Sequence, residues 1–423
     1  MTRLQDALRS FNPWWEKSYT ATYRERDIYK EIKRYLKLPM MIALSGLRRV
    51  GKTTIMLKVV EDYIEDGLDP IRVFYFSFDE FRGIELPDIL KEYERMHGLD
   101  IRDGKYIFLF DEIQKLDDWQ NKVKIIYDLY KSRVKIIISG SESLFIRKHT
   151  KESLAGRIFE FHVNPLSFSE FICFRDQQKL IEHPHLYMRE RLQLFEEYMQ
   201  IQGFPELVGI RDKEAIRKYI REGIVDKIVY KDIPQLFKIE DASILESLIN
   251  IFMDEPGQML ELSELANELK LTRQTLSSYL FYLEESQLIK KLYNYSRNQR
   301  KSERKLKKYY PTIASVDLLF SNDETSRSKA FEWLIVNRLG AEFFWRDAYK
   351  NEVDMVFGKE KPMPIEIKFG KISSKGISVF MHKFHVNRGT IVSYDKEEEF
   401  AVKEGKIKVV PAHMLLLERI QVE

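Results

Sequence analysis

The stretch Gly46-Leu47-Arg48-Arg49-Val50-Gly51-Lys52-Thr53-Thr54 decides how the chain is read. It matches the pattern GxxxxGK[ST] in full. The apolar run 40–44 precedes it and an amphipathic stretch over 53–65 follows it. A glycine-rich loop between a buried strand and a helix start cradles phosphate. Its glycines let backbone N–H groups turn inward onto phosphate oxygens. In that arrangement Gly46, Val50, Gly51 and Thr54 line the cradle. Lys52 reaches the β- and γ-phosphates of ATP, and the Thr53 hydroxyl is a ligand for Mg2+.

Outward from this loop, apolar runs at 40–44, 72–78, 106–110 and 135–139 alternate with helical stretches. Continuous apolar runs of this kind are parallel strands buried on both faces, so the first third predicts an α/β core. The run 106–110 ends in Asp111-Glu112. Beside the loop, Asp111 is expected to hold Mg2+ through water and Glu112 to polarise the attacking water. The run 135–139 ends in Ser139-Gly140-Ser141, which is either a small polar contact to the γ-phosphate or a plain turn. Arg157, shortly after, is either a surface arginine or a group that reaches phosphate in its own or a neighbouring subunit.

At 423 residues the chain has room for two to four domains of about 150 residues each. Hydrophobic residues make up 44% and charged residues 32%, which excludes a disordered chain. The formal net charge of +3 points to no partner, so any charged partner must be met by a local patch. Cys173 is the one cysteine, which rules out an intrachain disulfide and a cysteine-based zinc site. It lies in an aromatic helical stretch and reads as core. His382 and His385 have helical spacing but no further ligands, so they read as surface or packing residues. No apolar run approaches the roughly 18–20 residues of a membrane span, and 1–12 carries no apolar signal core. A cytoplasmic protein without a membrane partner is expected. Neither repeats nor low-complexity segments are visible.

The segment 260–289 reads as two helices with a tight turn at Lys270-Leu271-Thr272. Ser263 is the expected cap of the first helix and Thr272 of the second. The second helix begins Arg273-Gln274-Thr275, residue types that read bases and phosphates from a helix start. The following 290–308 holds Lys290, Lys291, Arg297, Arg300, Lys301, Arg304, Lys305, Lys307 and Lys308 against Glu303 alone, with tyrosines interleaved. As a wing beside a recognition helix, it suits a DNA phosphate backbone. The alternative is a solvated hairpin on a protein-binding module.

Near the C-terminus, Glu332 lies on a predicted helix and Asp354 on a strand. Glu366-Ile367-Lys368 follows on the next strand. Strand alternation puts Glu366 and Lys368 on one face. Asp354 and Glu366 can share a Mg2+ with Lys368 beside it. The alternative is a solvated strand face. Asn12-Pro13-Trp14-Trp15 is expected to pack on the core, and Asp79-Glu80 either faces the nucleotide or caps a strand.

The stretches 46–54, 110–115, 139–141 and 153–157, with the later Gly203-Phe204-Pro205-Glu206 and 226–232, resemble AAA-type ATPases of bacteria and archaea fused to a C-terminal domain of nuclease-like fold. The resemblance covers nearly the whole chain. It implies an AAA+ core in which Ser139 resembles the sensor position and Arg157 is a candidate arginine finger, which requires a homo-oligomer. Asp354 and Glu366-Ile367-Lys368 resemble the PD-(D/E)xK nuclease signature, with Glu332 as the added helical acid and Val353 where a proline often stands. The expected organisation is a P-loop AAA+ core with a parallel sheet over 1–166, a helical lid over 167–240, a winged helix-turn-helix over 241–320, and a restriction-endonuclease-like α/β domain over 321–423. The leading expectation is a DNA-binding ATPase, a motor or remodeller acting on duplex or branched DNA, whose tail grips or cuts it. The alternatives are a slow signalling ATPase whose C-terminal modules bind protein, and an ATP-gated nuclease of a defence or mobile element.

Overall fold

The alternation of apolar runs and helices at the start of the chain becomes a parallel sheet. β1 (Met41–Ser45), β2 (Val73–Ser77), β3 (Tyr106–Asp111), β4 (Val134–Ser139) and β5 (Ile158–His162) lie in the order β2-β3-β4-β1-β5. Every pairing is parallel. The computed structural model describes all residues except 1–2, 80, 82, 131–132, 141–153, 155, 238, 240, 299–305 and 418–423. It falls into two compact units, Met1–Pro165 and Leu166–Glu423.

The four apolar runs become β1 to β4 within two residues at each end. β1 is buried throughout, as continuous apolar runs require of a sheet covered on both faces. β5 is an addition to the expected set. Its Ile158-Phe159-Glu160-Phe161-His162 alternates, and it is only partly buried at the sheet edge. Because β4 inserts between β1 and β3, its last residue, Ser139, meets the end of β3.

The opposite edge, β2, is covered by the first residues of the chain. Asn12 takes the Tyr75 N–H at 2.7 Å and donates to the Tyr75 carbonyl at 2.9 Å, as a neighbouring strand would. Trp14 and Trp15 both donate their indole N–H to the Val73 carbonyl, at 2.9 and 3.0 Å. The tryptophans therefore pack on the core and close an otherwise bare edge.

The second unit opens with helices that include Phe168–Phe174, Met188–Ile201 and Lys213–Ile220. At Gly203, φ is +74°, and a Cβ there would stand 2.7 Å from the Leu166 carbonyl oxygen. The Gly-Phe-Pro turn expected at this point follows from that close approach. Cys173 is half-buried rather than part of the core.

A helix, Ser243–Asp254, precedes β6 (Gln258–Leu260), helices Leu262–Glu268 and Arg273–Glu285, and the hairpin strands β7 (Ile289–Asn294) and β8 (Lys307–Pro311). Thr272 caps the second of these short helices by accepting the Thr275 N–H at 3.1 Å, as expected. The first is capped by Glu261 rather than Ser263, because the Glu261 carboxylate accepts the Glu264 N–H at 2.9 Å. After the helix Glu324–Leu339 come β9 (Phe343–Arg346), β10 (Glu352–Phe357), β11 (Met363–Lys368), the helix Lys375–Phe384, β12 (Arg388–Ser393), β13 (Glu398–Val402) and β14 (Gly405–Pro411). All nine strands share one sheet, in the order β13-β14-β12-β11-β10-β9-β7-β8-β6. The parallel pairing of Tyr293 with Phe343 joins the hairpin to the C-terminal strands.

Candidate functional site

The phosphate loop leaves β1 through Gly46, whose φ of +142° suits glycine alone. A Cβ at that position would lie 2.3 Å from the Val163 carbonyl oxygen. The loop enters the helix Lys52–Glu65 through Gly51, at φ +96°. The helix therefore starts with its unpaired N–H groups at the loop. Lys52 is 5% exposed, and its ammonium donates to the carbonyls of Gly46 at 3.1 Å and Leu47 at 2.8 Å. Val50 is fully buried, while Thr53 and Thr54 are exposed.

Asp111, at the end of β3, is the hub of the site. Its Oδ2 accepts the Thr53 hydroxyl at 2.6 Å and the Tyr75 hydroxyl at 2.8 Å. Its Oδ1 accepts the Ser139 hydroxyl and, at 3.2 Å, the Glu112 N–H. Ser139 is fully buried and also lies 3.3 Å from that N–H, so it braces the two acids. Glu112 sits at φ +52°, an unusual backbone conformation for a non-glycine residue. The Gln114 amide donates to its carboxylate at 2.6 Å.

Two residues of this site carried no local signal, and a third only that of its neighbours. Arg26, 5% exposed, donates to the carbonyls of Val50 at 2.9 Å and Asn164 at 2.8 Å. Tyr75 points from β2 at Asp111. Burial and the Asp111 charge raise its hydroxyl pKa well above the usual value, so it stays a donor. Gln114 was visible only as a neighbour of Asp111-Glu112. Asp79 pairs with Lys115; Glu80, Ser141 and Ser153 lie outside the described residues.

Arg157 is not brought to this loop. It precedes β5, and its carbonyl accepts the Met41 N–H at 2.8 Å, at the start of β1. The loop leaves the other end of β1, four residues and about 13 Å of strand rise away. Its guanidinium faces Asp128 at 3.3 Å.

The thiol-free, all-oxygen donor set suits Mg2+, a hard cation that needs only one or two protein oxygens beside substrate phosphates. The Thr53 hydroxyl and the Asp111 carboxylate, 2.6 Å apart, are the oxygens that would hold it.

In the second unit, Arg273 and Gln274 are exposed at the start of their helix. The basic stretch after it is partly spent inside the unit. Lys290 donates to the Asn337 carbonyl at 3.3 Å, and burial, with Arg338 nearby, pushes its pKa down to about 7. Lys291 pairs with Glu284 at 2.7 Å. Arg297 is exposed and donates to the Phe384 carbonyl at 2.9 Å. Arg300, Lys301, Arg304 and Lys305 lie outside the described residues.

The four C-terminal polar residues do converge. Lys368 meets Glu366 at 2.7 Å, as strand alternation requires. Glu366 also accepts the Ile377 N–H at 3.1 Å, and Asp354 accepts the Ile367 N–H at 2.7 Å. Glu332 approaches from its helix and accepts the Tyr310 hydroxyl at 2.6 Å. Lys308 and Glu352, not expected here, join them. Lys308 lies 2.6 Å from Glu352, 3.1 Å from Glu332 and 3.7 Å from Asp354. His382 is exposed beside Glu404.

Residues 39–172 match a family described as an AAA domain, and residues 192–312 match a domain of unknown function (DUF8612). The chain thus holds an AAA-type P-loop domain, a class that binds ATP, joined to a second domain. Among curated proteins it is similar to two uncharacterized proteins of Methanocaldococcus jannaschii. One is 28% identical over 75% of this chain and 72% of its own length. The other is 26% identical over 92% and 88%. Among solved structures it is similar, at 15% identity and a TM-score of 0.33, to the Aeropyrum pernix ORC1 protein in complex with DNA, over 78% of this chain and 98% of that one. Among the described residues, no helix is long and apolar enough to cross a membrane.

Proposed function

We propose that the chain is a Mg2+-dependent ATPase that works on DNA as a motor or remodeller. The observation that carries the ATPase half is the constellation at the end of β3. The Thr53 hydroxyl, the Ser139 hydroxyl and the Glu112 N–H all converge on Asp111, beside Lys52. Lys52 takes the β- and γ-phosphates, and the loop N–H groups hold the rest of the phosphate chain. Thr53 and Asp111 hold Mg2+, which neutralises charge on the phosphate oxygens when bound. Glu112, held by Gln114, orients and deprotonates water for attack on the γ-phosphate. Arg157, at the far end of the sheet, serves only a neighbouring copy, which makes the working form a homo-oligomer.

The DNA half is supported by the order helix, strand, two helices and hairpin over 243–311, which is that of a winged helix. Arg273 and Gln274 stand exposed at the start of its second short helix. A second reading is a signalling ATPase whose winged helix binds protein. It is favoured by the inward use of Lys290 and Lys291, which takes charge off the hairpin.

The test is ATP turnover with and without duplex, forked and single-stranded DNA, with Lys52→Ala as the blank. Several-fold acceleration by DNA, lost in Arg273→Glu, is expected. Turnover indifferent to every DNA would sink the motor reading in favour of the protein-binding one.

A further inference from the structure

The nuclease resemblance implies a divalent cation held by Asp354 and Glu366, with Glu332 beside them. The side chains do not fit one. The space between Glu332, Glu352 and Asp354 is taken by the ammonium of Lys308, which enters from β8 with its side chain 6% exposed. Several of the other oxygens already accept protein donors. Glu332 Oε1 accepts both Lys308 and the Tyr310 hydroxyl. Both oxygens of Glu366 are used, one by Lys368 and one by the Ile377 N–H. Asp354 Oδ2 takes the Ile367 N–H. Among the described residues, no three His, Cys, Asp or Glu side chains are grouped to hold a metal ion.

We infer that Lys308 is the resident cation of this centre: its tethered ammonium stands between Glu332, Glu352 and Asp354 and Lys368 stands on Glu366, so lysine charge on both sides opposes a divalent metal shared by Asp354 and Glu366, and the cluster fastens the hairpin to the C-terminal strands and does not cut DNA. The ammonium of Lys308 is within hydrogen-bond reach of Glu352 at 2.6 Å and Glu332 at 3.1 Å, and Asp354, at 3.7 Å, adds its charge from just beyond that reach. A magnesium ion needs its oxygens near about 2.1 Å and keeps several waters, a closer and wetter shell than an ammonium standing 2.6 and 3.1 Å from two of these acids. The tether also makes Lys308 hard to displace, since withdrawing it strands buried carboxylates without a counter-charge. The inference stands apart from the ATPase reading, because it concerns Leu166–Glu423 alone.

The test uses the full chain carrying Asp111→Asn, so that the phosphate-loop acid adds no cation signal. Mn2+ is titrated by calorimetry and by its effect on Tm, and the chain without substitutions is assayed for Mn2+-dependent nicking of supercoiled DNA. No saturable uptake, no rise in Tm and no nicking are expected. Adding Lys308→Met should lower Tm and create a Mn2+ site whose occupancy restores part of the loss. A folded Lys308→Met chain that takes up no Mn2+ would overturn the inference. If that variant fails to fold, the chain with native Lys308 still decides: saturable Mn2+ uptake lost in Asp354→Asn, or nicking lost in Lys368→Ala, overturns it.

Discussion

Arg26 donates from its guanidinium to the carbonyl oxygen of Val50 at 2.9 Å, across 24 positions of sequence. Val50 immediately precedes Gly51, so this bond fixes the phosphate loop just before its turn into the helix. The same side chain holds Asn164, beyond β5. Arg26→Ala frees the loop while leaving every phosphate-contacting group in place. ATP affinity should fall by about tenfold, the equivalent of one charged hydrogen bond of about 1.5 kcal/mol. Titration with a fluorescent ATP analogue reads the loss. Arg26→Lys, which keeps one donor, should recover part of it.

Glu112 and Lys52 should separate binding from chemistry. Glu112→Gln removes the base but keeps the shape, so ATP still binds while turnover falls by about 10²–10⁴-fold. Lys52→Ala should lose binding itself. Gln114→Ala, which releases the Glu112 carboxylate, should lower kcat several-fold with KM little changed. Equal losses in kcat and affinity for Gln114→Ala would contradict its role as a positioning residue.

Asn12 makes both of the strand-like bonds to Tyr75 and another to the Leu8 carbonyl, all buried. At about 1 kcal/mol per bond, Asn12→Ala should cost on the order of 2–3 kcal/mol. It should also bare the β2 edge and speed aggregation on heating. Denaturant unfolding and light scattering check the two effects separately.

The acidic cluster predicts a pH signature. Burial, with Glu332 close by, lifts the Asp354 carboxyl from its usual 3.8 to about 7. A carboxyl raised on folding favours the folded state while protonated. Its contribution is therefore fully present below its unfolded value and is lost as pH rises through its folded one. Asp354→Asn, which keeps an oxygen for the Ile367 N–H, should change Tm little at about pH 4. Above about pH 7 it should raise stability, by on the order of 1–3 kcal/mol. A Tm difference that does not widen between those two values would contradict the account.

The loop, the strand before it and Asp111-Glu112 were legible in the sequence because glycines, lysine and buried strands leave local signatures. The partners that hold them were not. Arg26 and Tyr75 reach the site from 24 and 36 positions away, and nothing beside them marks the destination. Charge counting in the stretch 290–308 left the direction of each side chain open. A run of lysines says nothing about which way each points, and Lys290, Lys291 and Lys308 turn to Asn337, Glu284 and the acidic cluster. Arg157 shows the effect of one missed element. Without β5, it reads as a residue beyond the sheet that is either on the surface or within reach of a phosphate in its own or a neighbouring subunit. With β5 parallel to β1, it falls at the opposite end.

That placement dictates how copies could cooperate. A chain with its phosphate loop at one end of a sheet and Arg157 at the other has two unlike faces. If Arg157 serves a neighbour's loop, a twofold dimer can do it only by laying the two sheets antiparallel side by side, each arginine end against the other's loop end, whereas head-to-tail stacking does it end on end and either closes into a ring or grows as a helical filament, with one terminal loop always unserved in the open form.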